Sequence, residues 1–384
     1  MRVLVTDGEQ RAALAVVRSL GRAAHEVRVC SARPRSLAGG SRYARAEALV
    51  PDPLDDAGKY SAAITELVVR WRTQVVIPIS DASALALLPS RAELEAAGAR
   101  LPFPSEAIFR EISDKAVVFR AAGRVGIQVP QQTALGGPAI APDDLRFPVV
   151  VKPARSVVER DGKRLKTAVA YASDGAELNR LLTDLPVSTY PVLLQERIVG
   201  PGVGIFVFRW DGQVRAVFAH RRIREKPPSG GVSVYRESIP ADPALVRRSI
   251  ALLESFQWQG VAMVEYKLDE RTGEAYLMEI NGRFWGSLQL AIDSGVDFPR
   301  LLLSALAGEP GMEPTTYQVG VRSRWWWGDV DHVLLRWKSG GGEGRWRALW
   351  DFVASTFRSG REESTRYGDL RPFVRETLQW IRGR

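Results

Sequence analysis

The chain's 384 residues are 45% hydrophobic and 25% charged, enough for two or three domains with a large core, which excludes an intrinsically disordered protein. A single cysteine, Cys30, excludes a disulfide framework and a Cys-built zinc cluster, and three histidines far apart in sequence (His25, His220, His332) form no ligand-spaced set. Lys and Arg exceed Asp and Glu by 53 to 44, and the net charge of +9 favours anionic partners without selecting among phosphates, nucleic acids and acidic membranes.

The first hundred residues alternate strand and helix signals. Residues 3–6 are a short apolar run ending at the turn Asp7-Gly8, and residues 9–20 carry apolar side chains at helical spacing. Residues 25–31 read as a second strand and 55–71 as a helix. Residues 75–79 read as a buried strand ending in Ser80-Asp81, and 82–97 as another helix. This rhythm predicts a parallel sheet with helices on its faces, and such sheets bind ligands beyond the carboxyl ends of their strands. Thr6, Asp7, Ser80 and Asp81 fall at that edge, either as site residues or as turn and cap residues. No Gly-x-Gly-x-x-Gly follows the first strand and no Gly-x4-Gly-Lys-Ser/Thr occurs, which disfavours a dinucleotide-binding Rossmann enzyme and a P-loop NTPase.

Leu101-Pro-Phe-Pro104 marks a boundary. Ser113 or Asp114 caps a helix running to about Arg124, and Gln128-Val-Pro130 leaves it extended. Residues 147–153 form a buried strand containing Lys152, followed by a charged loop, 155–163, with Gly162 as its one glycine. Residues 169–172 are a short strand, 175–185 a helix, and 191–198 a strand that includes Gln195-Glu196. Asp211-Gly212 between two apolar runs signals a hairpin of 205–210 with 214–220. Residues 221–231 are basic and then Pro/Gly-rich, and read as a loop; 243–256 read as a helix. Beyond about residue 311 the chain holds seven of its 11 tryptophans, with helices near 329–337, 345–356 and 372–381 and a linker at 339–342. Trp325-Trp-Trp327 is either an interface or packing between this tail and the body.

The most informative stretch is 261–287, in which two strands flank the turn at 269–273. A hairpin centred on residue 272 sets Glu265 opposite Glu279 and, by alternation, puts Glu265, Glu279 and Asn281 on one face, with Val264, Tyr266, Leu268, Met278 and Ile280 on the other. Opposed carboxylates repel. A divalent cation between them, magnesium above all, turns that repulsion into a binding site; an open, solvated hairpin is the alternative. Lys152 ends an apolar strand, where a phosphate or a carboxylate would compensate its charge, and Lys115 beside the helix cap has the same two readings. Glu196 lies where free backbone groups meet a planar base edge, or simply enters a turn. Arg283, two residues past Asn281, either neutralises charge developing on a polyphosphate or is a surface arginine. The basic segment with Arg221, Arg222, Ser229, Gly230 and Gly231 either closes over an anion or stays solvated.

In this order, two lysines about 37 residues apart, a strand-end glutamate and the pair VEYK…MEINGR, the chain resembles the ATP-grasp superfamily and its carboxylate–amine (or carboxylate–thiol) ligase branch over residues 103–310. The resemblance implies an α/β fold. An N-terminal parallel βαβ, Rossmann-like pre-ATP-grasp domain (1–104) precedes a two-subdomain α+β ATP-grasp domain (105–310) and a Trp/Arg-rich, mainly helical extension (311–384). It implies ATP-phosphate contacts from Lys115 and Lys152 and an adenine slot at Gln195, Glu196 and Ile198. One or two Mg2+ ions, with Mn2+ as a substitute, would sit on Glu265, Glu279 and Asn281, and Arg283 would face the phosphoryl group or acyl phosphate. The substrate side would draw on Arg221, Arg222 and Ser229–Gly231. The chemistry implied is activation of a small-molecule carboxylate by ATP and its capture by an amine or another nucleophile. Two features depart from the family pattern: the phosphate-covering loop is poor in glycine, and Gly202-Val-Gly204 stands where relatives carry an acid for the ribose. A phosphotransferase on the same scaffold would release a stable phosphorylated product, and a nucleotide or anion sensor would show no turnover. Nucleic acid is disfavoured because the basic residues are scattered, while a homo-oligomer stays open. No run of about 20 apolar residues predicts a membrane span, and the short N-terminal apolar run is no signal peptide, so cytoplasm is the expected location.

Overall fold

The computed structural model describes residues 1–138, 142, 144–160, 163–309, 316–339, 342–356 and 360–383. Short apolar runs separated by amphipathic helices build the first layer: β1 (Arg2–Val5), α1 (Arg11–Arg22), β2 (Glu26–Ser31), β3 (Ala44–Leu49), α2 (Ala57–Trp71), β4 (Val75–Ile77), α3 (Asp81–Leu87) and α4 (Arg91–Ala96). The strands pair in parallel in the order β3-β2-β1-β4. The long helix expected over 82–97 is instead two, because Pro89 lies in a 3-10 turn between α3 and α4 and has no backbone N–H to carry a helix through.

Ser105 caps α5 (Glu106–Ser113), and the Asp114 carboxylate caps α6 (Lys115–Arg124), accepting from the Ala116 amide at 3.0 Å. Then follow β5 (Gln132–Leu135), β6 (Val149–Pro153), β7 (Val157–Arg160), β8 (Lys163–Lys166), β9 (Ala170–Ala172), α7 (Gly175–Asp184) and β10 (Val192–Glu196). An antiparallel sheet β5-β10-β6-β9 carries α7 over its apolar face. The charged segment read as a loop is the antiparallel hairpin β7–β8, and Gly162 at its tip lies outside the described residues.

The remaining elements are β11 (Gly202–Trp210), β12 (Gln213–Lys226), β13 (Val232–Ser238), α8 (Pro243–Ser255), β14 (Gly260–Leu268), β15 (Ala275–Asn281), α9 (Leu288–Asp293), α10 (Phe298–Leu306), β16 (Arg322–Arg324), α11 (Trp326–Ser339), α12 (Gly342–Thr356), β17 (Arg361–Glu362) and α13 (Arg371–Arg382). Seven strands form one sheet, β15-β14-β11-β12-β13-β16-β17. One expectation changes here. The basic segment after residue 220 is not a loop until Pro227: β12 runs to Lys226 because its cations are paired, Arg222 with Glu225 (3.0 Å) and Arg224 with Asp329 (2.6 Å). The mainly helical tail also contributes two short strands, β16 and β17, which extend the sheet beyond β13. The expected linker glycines 340 and 341 and the boundary near 310–311 lie outside the described residues.

Side chains of β11 alternate between two cores. Phe206 and Phe208 pack with α1, α9, α10 and Trp285, while Ile205 and Val207 pack with α5, α6 and α8. At the other end of β11 the row containing Phe206 and Phe208 continues as Gly204 and Gly202, whose missing side chains leave room for the Phe206 ring and for Arg222. No helix among the described residues is long and apolar enough to cross a membrane.

Candidate active site

A cleft of ≈ 760 Å³ lies where the carboxyl edge of the parallel sheet meets the two antiparallel sheets. That volume lies within the roughly 300–1,000 Å³ of small-molecule sites. Its floor is the hairpin β14–β15, and Glu265 does pair with Glu279 in register. One step on, the register shifts so that Tyr266 faces Leu277. This bulge at Met278 corrects the expected apolar face: Leu277, not Met278, joins Val264, Tyr266 and Ile280 in the core, and Met278 lines the cleft.

The two carboxylates are treated differently. Burial pushes Glu265 above the ordinary carboxylate range, opposed by the guanidinium of Arg222 and reinforced by the charges of Glu279 and Glu225. Burial also acts to raise Glu279, but Lys115, Lys152, the Asn281 amide and Arg283 outweigh it and hold the group at about 2. Asn281 donates from Nδ2 to Glu279 Oε1 (2.9 Å), and its Oδ1 accepts from Arg283 Nη2 (2.9 Å). Glu265, Glu279 and Asn281 thus stand together.

Lys115, the first residue of α6, donates to Ser156 Oγ (3.0 Å) and lies 3.8 Å from Glu279. Lys152, on β6, donates to the Met278 carbonyl oxygen (2.6 Å) and sits over the Phe119 ring. Burial draws its pKa down to about 8. Gln195, Glu196 and Ile198 line the cleft between the two antiparallel sheets. The Gln195 side chain is fixed by Gln132 (2.6 Å) and the Glu196 amide by the Gln131 carbonyl (2.8 Å). Ser229, Gly230 and Gly231 line the opposite rim.

Arg222 and Arg221 part company. Arg222 points into the cleft, ion-paired with Glu265 and Glu225. Arg221 points to the other face of β12, where it pairs with Glu237 (2.7 Å), so the structure removes it from the site. Successive strand residues face opposite sides, which is why only one of the two can reach the cleft.

Residues 188–327 match the family described as ATP-grasp in the biosynthetic pathway with Ter operon. Over that segment the chain is similar to ATP-grasp proteins. Solved structures of low identity share its fold. An L-amino acid ligase from Bacillus licheniformis is 18% identical with a TM-score of 0.61, covering 81% of this chain and 75% of that one. A biotin carboxylase–β,γ-ATP complex from Campylobacter jejuni is 15% identical, TM-score 0.65, covering 83% and 74%. An ADP complex of N5-carboxyaminoimidazole synthetase from Staphylococcus aureus is 14% identical, TM-score 0.62, covering 84% and 80%. None of the curated proteins compared matches the sequence.

Several groups in the cleft go beyond the sequence expectations. Lys267 lies two residues past Glu265 and also lines it, a position that strand alternation would have supplied. Asp81, at the first turn of α3, accepts from Nε and Nη2 of Arg283 (3.0 and 3.1 Å) and so ties the N-terminal layer to the hairpin that carries Asn281. Asp7 is a structural group, its carboxylate accepting from the amides of Ile79 (3.1 Å) and Ser80 (3.2 Å) and from Ser83 Oγ (2.6 Å). The donor set of Glu265, Glu279 and the Asn281 amide oxygen fits a hard divalent cation, and Arg222 stands where these opposed acids need positive charge. No group of three or more His, Cys, Asp or Glu that could hold a metal occurs among the described residues.

Proposed function

We propose that the protein is an ATP-dependent ligase that activates a small-molecule carboxylate as an acyl phosphate and passes the acyl group to an amine or a related nucleophile. The substrate carboxylate oxygen attacks the γ-phosphorus and ADP leaves; the amine then attacks the acyl carbon, phosphate leaves, and the nitrogen loses a proton. The observation that carries this reading is the in-register opposition of Glu265 and Glu279 beneath two buried lysines in one cleft. Glu265, Glu279 and Asn281 are the residues to hold Mg2+ or Mn2+, which when bound would shield phosphate charge. Lys115 and Lys152 would hold phosphate oxygens, and the slot at Gln195, Glu196 and Ile198 would take the adenine. Arg283, held by Asp81 and Asn281, would face charge developing on the transferred phosphoryl group. Arg222 and the Ser229–Gly231 turn would border the carboxylate. In this reading residues 1–104, 105–310 and 311–384 are the pre-ATP-grasp domain, the ATP-grasp domain and an extension, and the protein works in the cytoplasm.

Thermal unfolding with ATP, with Mg2+ and ATP, and with ATP plus chelator tests the nucleotide site. A ligand at 100 times its Kd stabilises by about 2.7 kcal/mol. An upward shift that needs magnesium is expected, and its absence at saturating nucleotide would sink the reading. Glu279→Gln removes one charge from the metal face. It is expected to abolish magnesium-dependent ADP release from carboxylate–amine pairs while leaving the ligand-free unfolding transition cooperative; wild-type turnover in that variant would refute the metal assignment.

A further inference from the structure

Several acids of the tail turn inward, whereas Asp351 and the indoles of Trp337, Trp346 and Trp350 are exposed. Asp329 is wholly buried between Arg224 (2.6 Å) and Arg324 (3.2 Å), Glu363 pairs with Arg11 (2.6 Å), and Asp369 pairs with Arg18 (2.7 Å). Trp325 and Trp327 are spent inside, donating to Glu376 (2.8 Å) and Thr377 (2.9 Å). On α12, by contrast, Trp346 is 66% exposed and Trp350 72%, and both share a stripe with the exposed Val353. At 100° per residue these three positions fall within about 60° of one another, and Arg345 and Arg347 flank the stripe. Trp337 of α11, also exposed, meets Trp346 edge-on with ring centroids 5.5 Å apart, joining both helices in one aromatic patch beside Arg336 and Lys338.

An indole has an apolar body and one N–H, a combination that favours the headgroup layer of a bilayer. A helix with a Trp stripe between arginines lies in that layer, and anionic lipids add about 1 kcal/mol for each Lys or Arg near the surface. A nucleic acid would engage the cations and stack on the rings, but it would offer nothing to aliphatic Val353 or to exposed Leu335. We propose that the α11–α12 face docks on the surface of an anionic lipid bilayer. The docked helix is bonded to the cleft-lining strand: Lys226 pairs with Asp331, and His332 Nδ1 meets the Glu225 carbonyl oxygen at 2.6 Å.

The test uses the full chain and sedimentation with vesicles of phosphatidylcholine alone or mixed with phosphatidylglycerol. Binding is expected only to the mixed vesicles and is expected to weaken with salt. Trp346→Ser with Trp350→Ser should lower that affinity roughly tenfold or more, while the magnesium–ATP thermal shift stays as in the native chain because the patch lies outside the cleft. Lipids brominated on their acyl chains should quench tryptophan fluorescence in the native chain and less in the double variant, which keeps Trp337. Should that variant fail to fold, Arg347→Glu keeps both indoles and is expected to weaken binding several-fold. The proposal is overturned by native protein that ignores the mixed vesicles, or by variants that bind them undiminished. It is overturned equally by a native dimer that the Trp substitutions dissolve, which would give the face to a second copy, or by RNA binding at these residues without vesicle binding.

Discussion

Lys152 is an ammonium stored at a cost. Its ordinary pKa is 10.5, and burial brings it to about 8 in the fold. Between these values the unfolded chain binds the extra proton, so stability rises with pH across that window and the buried charge is most destabilising below about 8. Phosphate oxygens would repay the desolvation only while the proton is present. Affinity for magnesium–ATP, followed by thermal shift or KM, is therefore expected to fall as pH rises through about 8, and Lys152→Met should flatten that step. Pairing of Glu265 with Glu279 could be read from sequence because both ends of the hairpin are marked by a turn and by alternation. The bulge at Met278 could not, since it depends on Leu277 outcompeting Met278 for the core behind the sheet. Arg222 was legible as a cation, but its partner Glu265 lies on β14 and the two meet only through the sheet order.

At the scale of elements, β11 shows how a single strand serves two cores and makes room for its neighbours. A Cβ on Gly204 would come within 2.6 Å of the Phe206 ring and 3.0 Å of His220, and on Gly202 within 2.7 Å of Arg222. Gly204→Ala must therefore push the ring beneath Trp285, and overpacking of this kind costs about 1–3 kcal/mol. Chemical denaturation should show that loss, together with a smaller magnesium–ATP shift. Gly123 of α6 offers the opposite case. Nothing lies within 4 Å of its added Cβ, so Gly123→Ala is expected to stabilise the fold by about 0.5–1 kcal/mol. Most helices were legible from their apolar spacing and caps, as were β1, β2, β4, β6 and the β11–β12 hairpin. Four of the missed strands share a reason. β3 is a half-exposed edge strand, β16 and β17 are three and two residues long, and β13 follows a Pro/Gly-rich turn that reads as loop. None has an apolar run of its own; each is defined by the neighbour it hydrogen-bonds to.

For the whole molecule, the tail is a clasp between the first helix and the last strand. Arg18 on α1 is 99% withdrawn from solvent and donates to the Asp369 carboxylate and to the carbonyls of Glu363 (2.7 Å) and Ser364 (2.8 Å). Removing one partner of a buried pair costs about 3–5 kcal/mol because the other charge stays buried and alone. Asp369→Ala is expected to lower stability by that amount in chemical denaturation, and loss below about 1 kcal/mol would show that the carbonyls alone satisfy Arg18. The same clasp sets an order of events during synthesis. Arg18 emerges 351 residues before the carboxylate that neutralises it, which at roughly 5–20 residues per second is a wait of about 20–70 s. Throughout that interval the nascent first layer carries an uncompensated guanidinium on a helix face meant for the interior. It becomes complete only when the segment around Asp369 has left the tunnel.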